Sequence, residues 1–273
     1  MRPLQAFETR VPGKWVLAGE HAVLRGEPAL ALPHVEWCLR LSYSPGAGEL
    51  QVEPKSAGTL IQDLLASLAP RLGGLPSGSL KIESTIPIGA GLGSSAALCV
   101  AMTQWLRLPL GAEPAEVRAI ATELEHRFHG QSSGMDVAAV LAGRPILFRR
   151  GEEPEALELP KMPHFTFHDT GLRARTQDCV EKVEAFRRRS PEAGLEVDRA
   201  MGQATRWAVE GLRDYSLSTL ARGINQAREC FQAWDLDPPE AQSLRNSLIR
   251  QGALAAKLTG AGAGGMVVAL WPS

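Results

Sequence analysis

The run Pro87-Ile88-Gly89-Ala90-Gly91-Leu92-Gly93-Ser94-Ser95-Ala96-Ala97 has the makings of an anion cradle. Three glycines alternate with small residues, two serines follow, and the apolar Leu98-Cys99-Val100-Ala101-Met102 continues beyond them. Glycine takes positive φ without strain and lets an anion approach main-chain N–H groups. A helix starting near the serines adds unpaired N–H groups and partial positive charge, and Ser94 or Ser95 is expected to cap it. The run matches neither of the common phosphate loops. No lysine follows Gly93, and position 94 is Ser where a dinucleotide fingerprint has its third glycine. A tight strand-to-helix turn without a ligand is the plainer alternative.

Other polar residues stand at suggestive places. Lys14, in Pro12-Gly13-Lys14, can reach a phosphate or a carboxylate, or simply lie on the surface. Glu20 and His21, in Gly19-Glu20-His21-Ala22-Val23, can fix a polar substrate or hydrogen-bond their own turn. Glu125 falls beside the apolar stripe Val117, Ile120, Ala121, Leu124 and Phe128, as a rim residue or a metal ligand. Asp136 opens the apolar stretch Val137–Leu141, where a negative charge suits a helix N-terminus. Near the end, Thr259-Gly260-Ala261-Gly262-Ala263-Gly264-Gly265 joins two apolar runs. So much glycine between strands implies a backbone packed against a ligand or another loop.

The elements that must position these residues alternate in type. Lys81–Ile86 alternates as a strand, so the first glycine run reads as strand, loop, helix. Val16–Ala18, Ala29–Leu32 and Val35–Tyr43 read as strands. Thr59–Leu68 reads as a helix with Leu60, Leu64 and Leu68 on one side, and Leu72–Ser79 as a loop. A helix begins near Pro114 and stops at Gly130, and Ile146–Phe148 is a strand. Arg149–Pro163, charged and with three prolines, is the predicted linker between domains 1–155 and 156–273. Beyond it, Phe165–Phe167 is a strand and residues 177–189, 192–210, 217–234 and 239–251 are helices. Ala255–Leu258 and Met266–Leu270 are the last strands.

Composition narrows the classes. A chain of 273 residues holds one large domain or two smaller ones. A net charge of −1 leaves no footprint for nucleic acid or an anionic membrane. The four cysteines are far apart, without a zinc or disulfide pattern. No 18-residue apolar run and no signal-type start is present, which predicts a soluble cytoplasmic protein.

Taken together and in order, Pro12-Gly13-Lys14 with Gly19-Glu20-His21, Pro87–Ala97, and Lys257–Gly265 resemble the three motifs of the GHMP kinases. That superfamily includes galactokinase, homoserine kinase, mevalonate kinase and phosphomevalonate kinase. Gly19-Glu20-His21-Ala22-Val23 and His129-Gly130-x-x-Ser133-Gly134-x-Asp136 are most similar to its mevalonate kinases, as are Asp169-Thr170-Gly171 and Arg175-Thr176. The chain departs from them in its shortness, in Gln131-Ser132 for Asn-Pro, and in Ile88 for a second proline.

The resemblance implies an α/β (α+β two-layer) fold, with a ribosomal-protein-S5-like N-terminal domain and a ferredoxin-like C-terminal domain. It implies ATP and Mg2+ as cofactors and (R)-mevalonate as the acceptor, phosphorylated on its 5-hydroxyl in isoprenoid synthesis. Carried over by position, Ser84 and Gly89, Ala90, Gly91, Leu92, Gly93, Ser94 and Ser95 hold the nucleotide. Ser95 and Glu125 hold the metal, Asp136 is the base and Lys14 the active-site lysine. Lys14, Glu20, His21, Asp136 and Thr176 face the acceptor. A homodimer is a family-based expectation. The alternatives are another small-molecule kinase, acting on phosphomevalonate or a sugar, and a non-catalytic nucleotide-binding protein of the same fold.

Overall fold

The computed structural model describes residues 5–68, 76–107, 111–129 and 132–272. The chain opens with β1 (Phe7–Ala18), whose second half is buried throughout, and returns antiparallel as β2 (Ala29–Pro45). The two runs predicted as separate strands are one 17-residue strand. A bulge makes this possible. Pairing steps from Pro12↔Cys38 to Gly13↔His34, so Val35, Glu36 and Trp37 are extra residues on β2. Pro33, which has no N–H to donate, lies opposite Lys14. A bulge absorbs the irregularity, bends the strand and re-aims its neighbours. Here the neighbour is Lys14.

β3 (Leu50–Glu53) leads through α1 (Gly58–Leu68) to β4 (Gly78–Ser84), which runs parallel to β3. α1 buries Ile61, Leu64, Leu65 and Leu68, whereas Leu60 is exposed. The buried face is thus turned by one residue from the predicted one, because Ile61 seats in the core and Leu60 is left to line a cleft. Half of the predicted loop Leu72–Ser79, residues 72–75, and the helix stop at Gly130 lie outside the described residues, and the loop's last two residues, Gly78 and Ser79, already belong to β4.

α2 (Ser94–Arg107), α3 (Pro114–His129) and α4 (Met135–Ala142) follow, then β5 (Ile146–Phe148) and β6 (Glu155–Ala156). The first sheet is ordered β3-β4-β2-β5-β6, with β1 along the other edge of β2. α2 is apolar almost all round and correspondingly buried, with Trp105 fully buried in its last turn. The stretch predicted as a linker begins inside this sheet, since β6 pairs with β5 and Leu157 is buried.

The second half holds β7 (Phe165–Asp169), α5 (Thr176–Arg189), α6 (Pro191–Arg213), α7 (Leu217–Ala233), α8 (Pro239–Arg250), β8 (Ala255–Leu258) and β9 (Met266–Leu270). Its three-stranded antiparallel sheet is ordered β7-β9-β8. One apolar cluster runs through both halves, from Leu17, Leu32 and Trp105 to Phe231, Trp234 and Val267. The four cysteines are free thiols. Among the described residues no helix is long and apolar enough to cross a membrane.

Candidate active site

The first glycine loop connects β4 to α2, as its composition predicts. The helix begins one residue earlier than a serine cap requires. Ala97 N–H donates to the Gly93 carbonyl at 2.9 Å, so Gly93 takes the cap position and both serines lie in the first turn. Gly93 has φ +76°, and a Cβ there would stand 2.7 Å from Lys14 Cγ. Glycine at 93 is therefore what lets the lysine pass beneath the loop. Ser84 ends β4, and its hydroxyl accepts from Ile86 N–H at 3.2 Å.

Lys14 is tied to this loop at two points. Its N–H donates to the Leu92 carbonyl at 3.0 Å and its Nζ to the Gly91 carbonyl at 3.1 Å. The same Nζ meets Asp136 Oδ2 at 2.8 Å. The Lys14 side chain is buried, whereas that of Asp136 keeps 26% exposure. Asp136 comes from the first turn of α4, so its carboxylate also benefits from the helix dipole.

The second glycine loop packs backbone to backbone on the first. A Cβ on Gly91 would lie 2.8 Å from the Thr259 carbonyl oxygen, and one on Gly265 would lie 2.7 Å from that of Ala90. This explains the glycine content of 259–265: the loop lies against the other loop. Thr259 clasps β1 as well, its hydroxyl accepting from Val16 N–H and donating to the Val16 carbonyl.

Glu125 is sealed, at 1% exposure. Ser132 donates to its Oε2, while Oε1 has no partner. Burial pushes the carboxyl up to about 8, the negative charge of Asp136 adds to the rise, and Ser132 and Lys14 oppose it. A buried oxygen with nothing to bind, beside a second carboxylate, fits a cation. Ser95, in the first turn of α2, adds a hydroxyl oxygen on the same cleft. Oxygen donors of this kind suit a hard cation that keeps its waters and binds phosphate oxygens. Among the described residues there is no cluster of three His, Cys, Asp or Glu, so the site suits no cation that needs a full protein cage.

Glu20 and His21 follow β1 and are both buried. Glu20 Oε1 accepts from Lys257 Nζ at 2.6 Å. His21 sits at φ +61°, its Nε2 is 2.8 Å from the Ala261 carbonyl, and its ring edges onto Trp234. Burial pulls its imidazole down to about 4, so the ring is neutral, Nε2–H is the donor and Nδ1 remains an acceptor.

These residues surround one cleft of about 810 Å3. Lys14, Glu20, His21, Ser84, Gly89, Gly91, Leu92, Gly93, Ser94, Ser95, Glu125, Asp136 and Thr176 all line it. Ala90 does not: it is fully buried beneath the second loop, because Gly265 rests on its carbonyl. At one end Leu39, Leu60, Ile61, Ile82 and Leu98 make an apolar wall. Sequence reasoning gave no role to Ser132 or Lys257. The motif containing Lys257 was visible, but nothing in it points to a partner 237 positions away. Arg175, set just before α5, also lines the cleft.

A strand–glycine loop–helix cradle, a lysine–aspartate pair beneath it and a sealed carboxylate beside it suit phosphoryl transfer. The descriptions GHMP kinases N terminal domain and GHMP kinases C terminal match residues 59–144 and 208–273. The chain belongs to the GHMP kinase family, and it is an ATP-dependent small-molecule kinase. The mevalonate kinase of Aeropyrum pernix is 31% identical over 98% of this chain and 89% of its own length. That of Archaeoglobus fulgidus is 30% identical over 95% and 90%. Among solved structures, L. major mevalonate kinase in complex with R-mevalonate aligns with TM-score 0.85 and 25% identity over 100% of this chain and 90% of that one. Lactococcus lactis galactokinase, at 17% identity, TM-score 0.79 and coverage of 97% and 85%, shares the fold.

Proposed function

We propose that this kinase transfers the γ-phosphoryl group of ATP to the 5-hydroxyl of (R)-mevalonate. The observation that carries the reading is the Lys14–Asp136 contact, 2.8 Å long and set directly beneath the Gly91 carbonyl. The mevalonate kinases of A. pernix and A. fulgidus, matched over nearly their whole length, support the acceptor.

The first glycine loop and the α2 N-terminus receive the triphosphate, and the apolar wall of Leu39, Leu60 and Ile82 receives the base. Ser95 and Glu125 would hold Mg2+, Glu125 through its unpartnered Oε1. There the ion would offset the charge of the phosphates. Asp136 Oδ accepts the hydrogen of the acceptor hydroxyl and takes its proton as the new oxygen–phosphorus bond forms and the bond to ADP breaks. Lys14 keeps Asp136 in place and offsets charge on the group in transit. Glu20, His21 and Thr176 contact the acceptor.

The cations favour a single carboxylate as the acceptor's charged end. Arg175 is the one cleft-lining cation without an acid partner among the described residues. Arg173 is held by both oxygens of Asp169, at 2.7 and 2.6 Å, and lies outside the cleft wall. A phosphorylated acceptor needs a further free cation. Purified protein with ATP and Mg2+ is therefore expected to turn over mevalonate and leave phosphomevalonate and galactose largely untouched. Arg175→Gln is expected to raise the KM for mevalonate about ten-fold or more, with the KM for ATP unchanged. Preference for a sugar or for phosphomevalonate would overturn the acceptor assignment.

A further inference from the structure

β8 carries Lys257 into the second glycine loop, and its side chain is fully buried. Its Nζ donates to Glu20 Oε1 at 2.6 Å and stands 4.7 Å from the centre of the Phe231 ring. Glu20 forms part of the cleft wall, and Lys257 lies behind it. Glu20 Oε2 is buried and has no partner. A little further along the same segment, the Ala261 carbonyl holds His21. One strand and its loop thus grip two consecutive residues, 237 and 240 positions away.

An oxygen that is sealed and unpartnered costs free energy unless a donor arrives. The half-satisfied carboxylate is on the cleft wall, so the donor comes from what the cleft binds. Lys257 Nζ has its own hydrogen bond and an aromatic face, and it has no access to the cleft. Its effect on a ligand passes through Glu20.

We propose that Lys257 is a positioning residue for the acceptor: by occupying Oε1 of Glu20 it fixes that side chain and leaves Oε2 to receive a hydroxyl of the bound alcohol. This rests on the reading of the cleft as an alcohol-kinase site whose acceptor meets Glu20. The second glycine loop and its strand then act on the acceptor, while the first acts on the nucleotide.

The charged and titratable groups facing the pair are Lys14 from β1, His21 just after it, Cys230 from α7, and Asp237 ahead of α8. Burial raises the Glu20 carboxyl, and Lys257 is the largest influence against it. Without Lys257 the carboxyl rises further, so Glu20 is protonated at lower pH and ionises as pH increases.

The test compares wild type, Lys257→Met, Glu20→Gln and the double variant. Lys257→Met is expected to raise the acceptor KM about ten-fold or more near neutral pH, with the KM for ATP unchanged. Its kcat/KM for the acceptor should climb with pH more steeply than that of the wild type. Infrared difference spectra of Lys257→Met, taken without substrate, should show a protonated-carboxyl band, additional to that of Glu125, that is absent from the double variant. The double variant should match Glu20→Gln in acceptor KM. Should Lys257→Met fail to fold, the neutral double variant decides the matter: equality with Glu20→Gln supports the proposal, and a further rise in acceptor KM overturns it. A folded Lys257→Met with no additional carboxyl band and an unchanged acceptor KM also overturns it. Wild-type inactivity on mevalonate is a separate result, which sinks the acceptor assignment while the infrared band still tests the pair.

Discussion

The Lys14–Asp136 pair leaves about a quarter of its carboxylate side chain open to solvent, whereas the Glu20–Lys257 pair leaves 4% of its carboxylate side chain, where Glu20 meets the cleft, and none of its lysine. The two contacts are nearly equal in length, 2.8 and 2.6 Å, and both line or back the same cleft. Their surroundings make them different devices. An open carboxylate exchanges protons and can move its hydrogen bond from lysine to a ligand at little cost. A sealed ion pair cannot be parted without stranding a charge in low dielectric, so it fixes geometry. The first pair is suited to the reacting hydroxyl, and the second to holding the rest of the acceptor still.

The sharpest way to break this contrast is kinetic. Asp136→Asn keeps the shape and removes the proton acceptor, and turnover is expected to fall about a thousandfold. Nucleotide affinity, measured by calorimetry, should stay within about two-fold. A variant that keeps wild-type turnover would remove Asp136 from the chemistry. Changes in the sealed pair should instead appear mainly in the acceptor KM.

Stability gives the next test. Glu20→Ala strands Lys257 and is expected to cost about 3–5 kcal/mol in urea unfolding. Asp136→Ala should cost less, about 1–2 kcal/mol, because buried Lys14 keeps its bond to the Gly91 carbonyl. Similar losses for the two would show that burial does not separate them as argued.

The smallest effect concerns pH. His21 has its imidazole pulled down from 6.5 to about 4 by burial, beside the sealed pair. A base with a lowered folded-state pKa contributes stability that is complete above about 6.5 and is lost as pH falls towards 4. The loss across that window is expected to be no more than about 3 kcal/mol. His21→Gln should flatten that slope in urea midpoints taken from pH 7 to pH 4, and an unchanged slope would place the acid sensitivity elsewhere.

Much of the cleft was legible because its parts are local. Glycines at 89, 91 and 93 followed by serines announce a loop entering a helix, and each takes positive φ. The helical spacing of 117–124 is visible, and all four of Val117, Ile120, Ala121 and Leu124 are buried. Other readings failed where a distant contact overrode the local pattern. Ala29–Leu32 and Val35–Tyr43 read as separate strands, yet the bulge at Val35–Trp37 lets β2 run through both. Leu60 looked like core, yet the cleft takes it. A cap serine was expected, yet the passage of Lys14 demands glycine at that point.

From the order of residues alone came the strand–loop–helix cradle, the second glycine loop and the polar residues Lys14, Glu20, His21, Glu125 and Asp136, since each depends on spacing over a few positions. Only the tertiary structure decided which lysine meets which carboxylate, that Gly91 and Gly265 lie against the opposite loop, and that one pair is open and the other sealed. The reason is physical. Backbone preference acts between neighbours in the chain, whereas burial and the strength of a charge pair depend on whatever the fold packs around them.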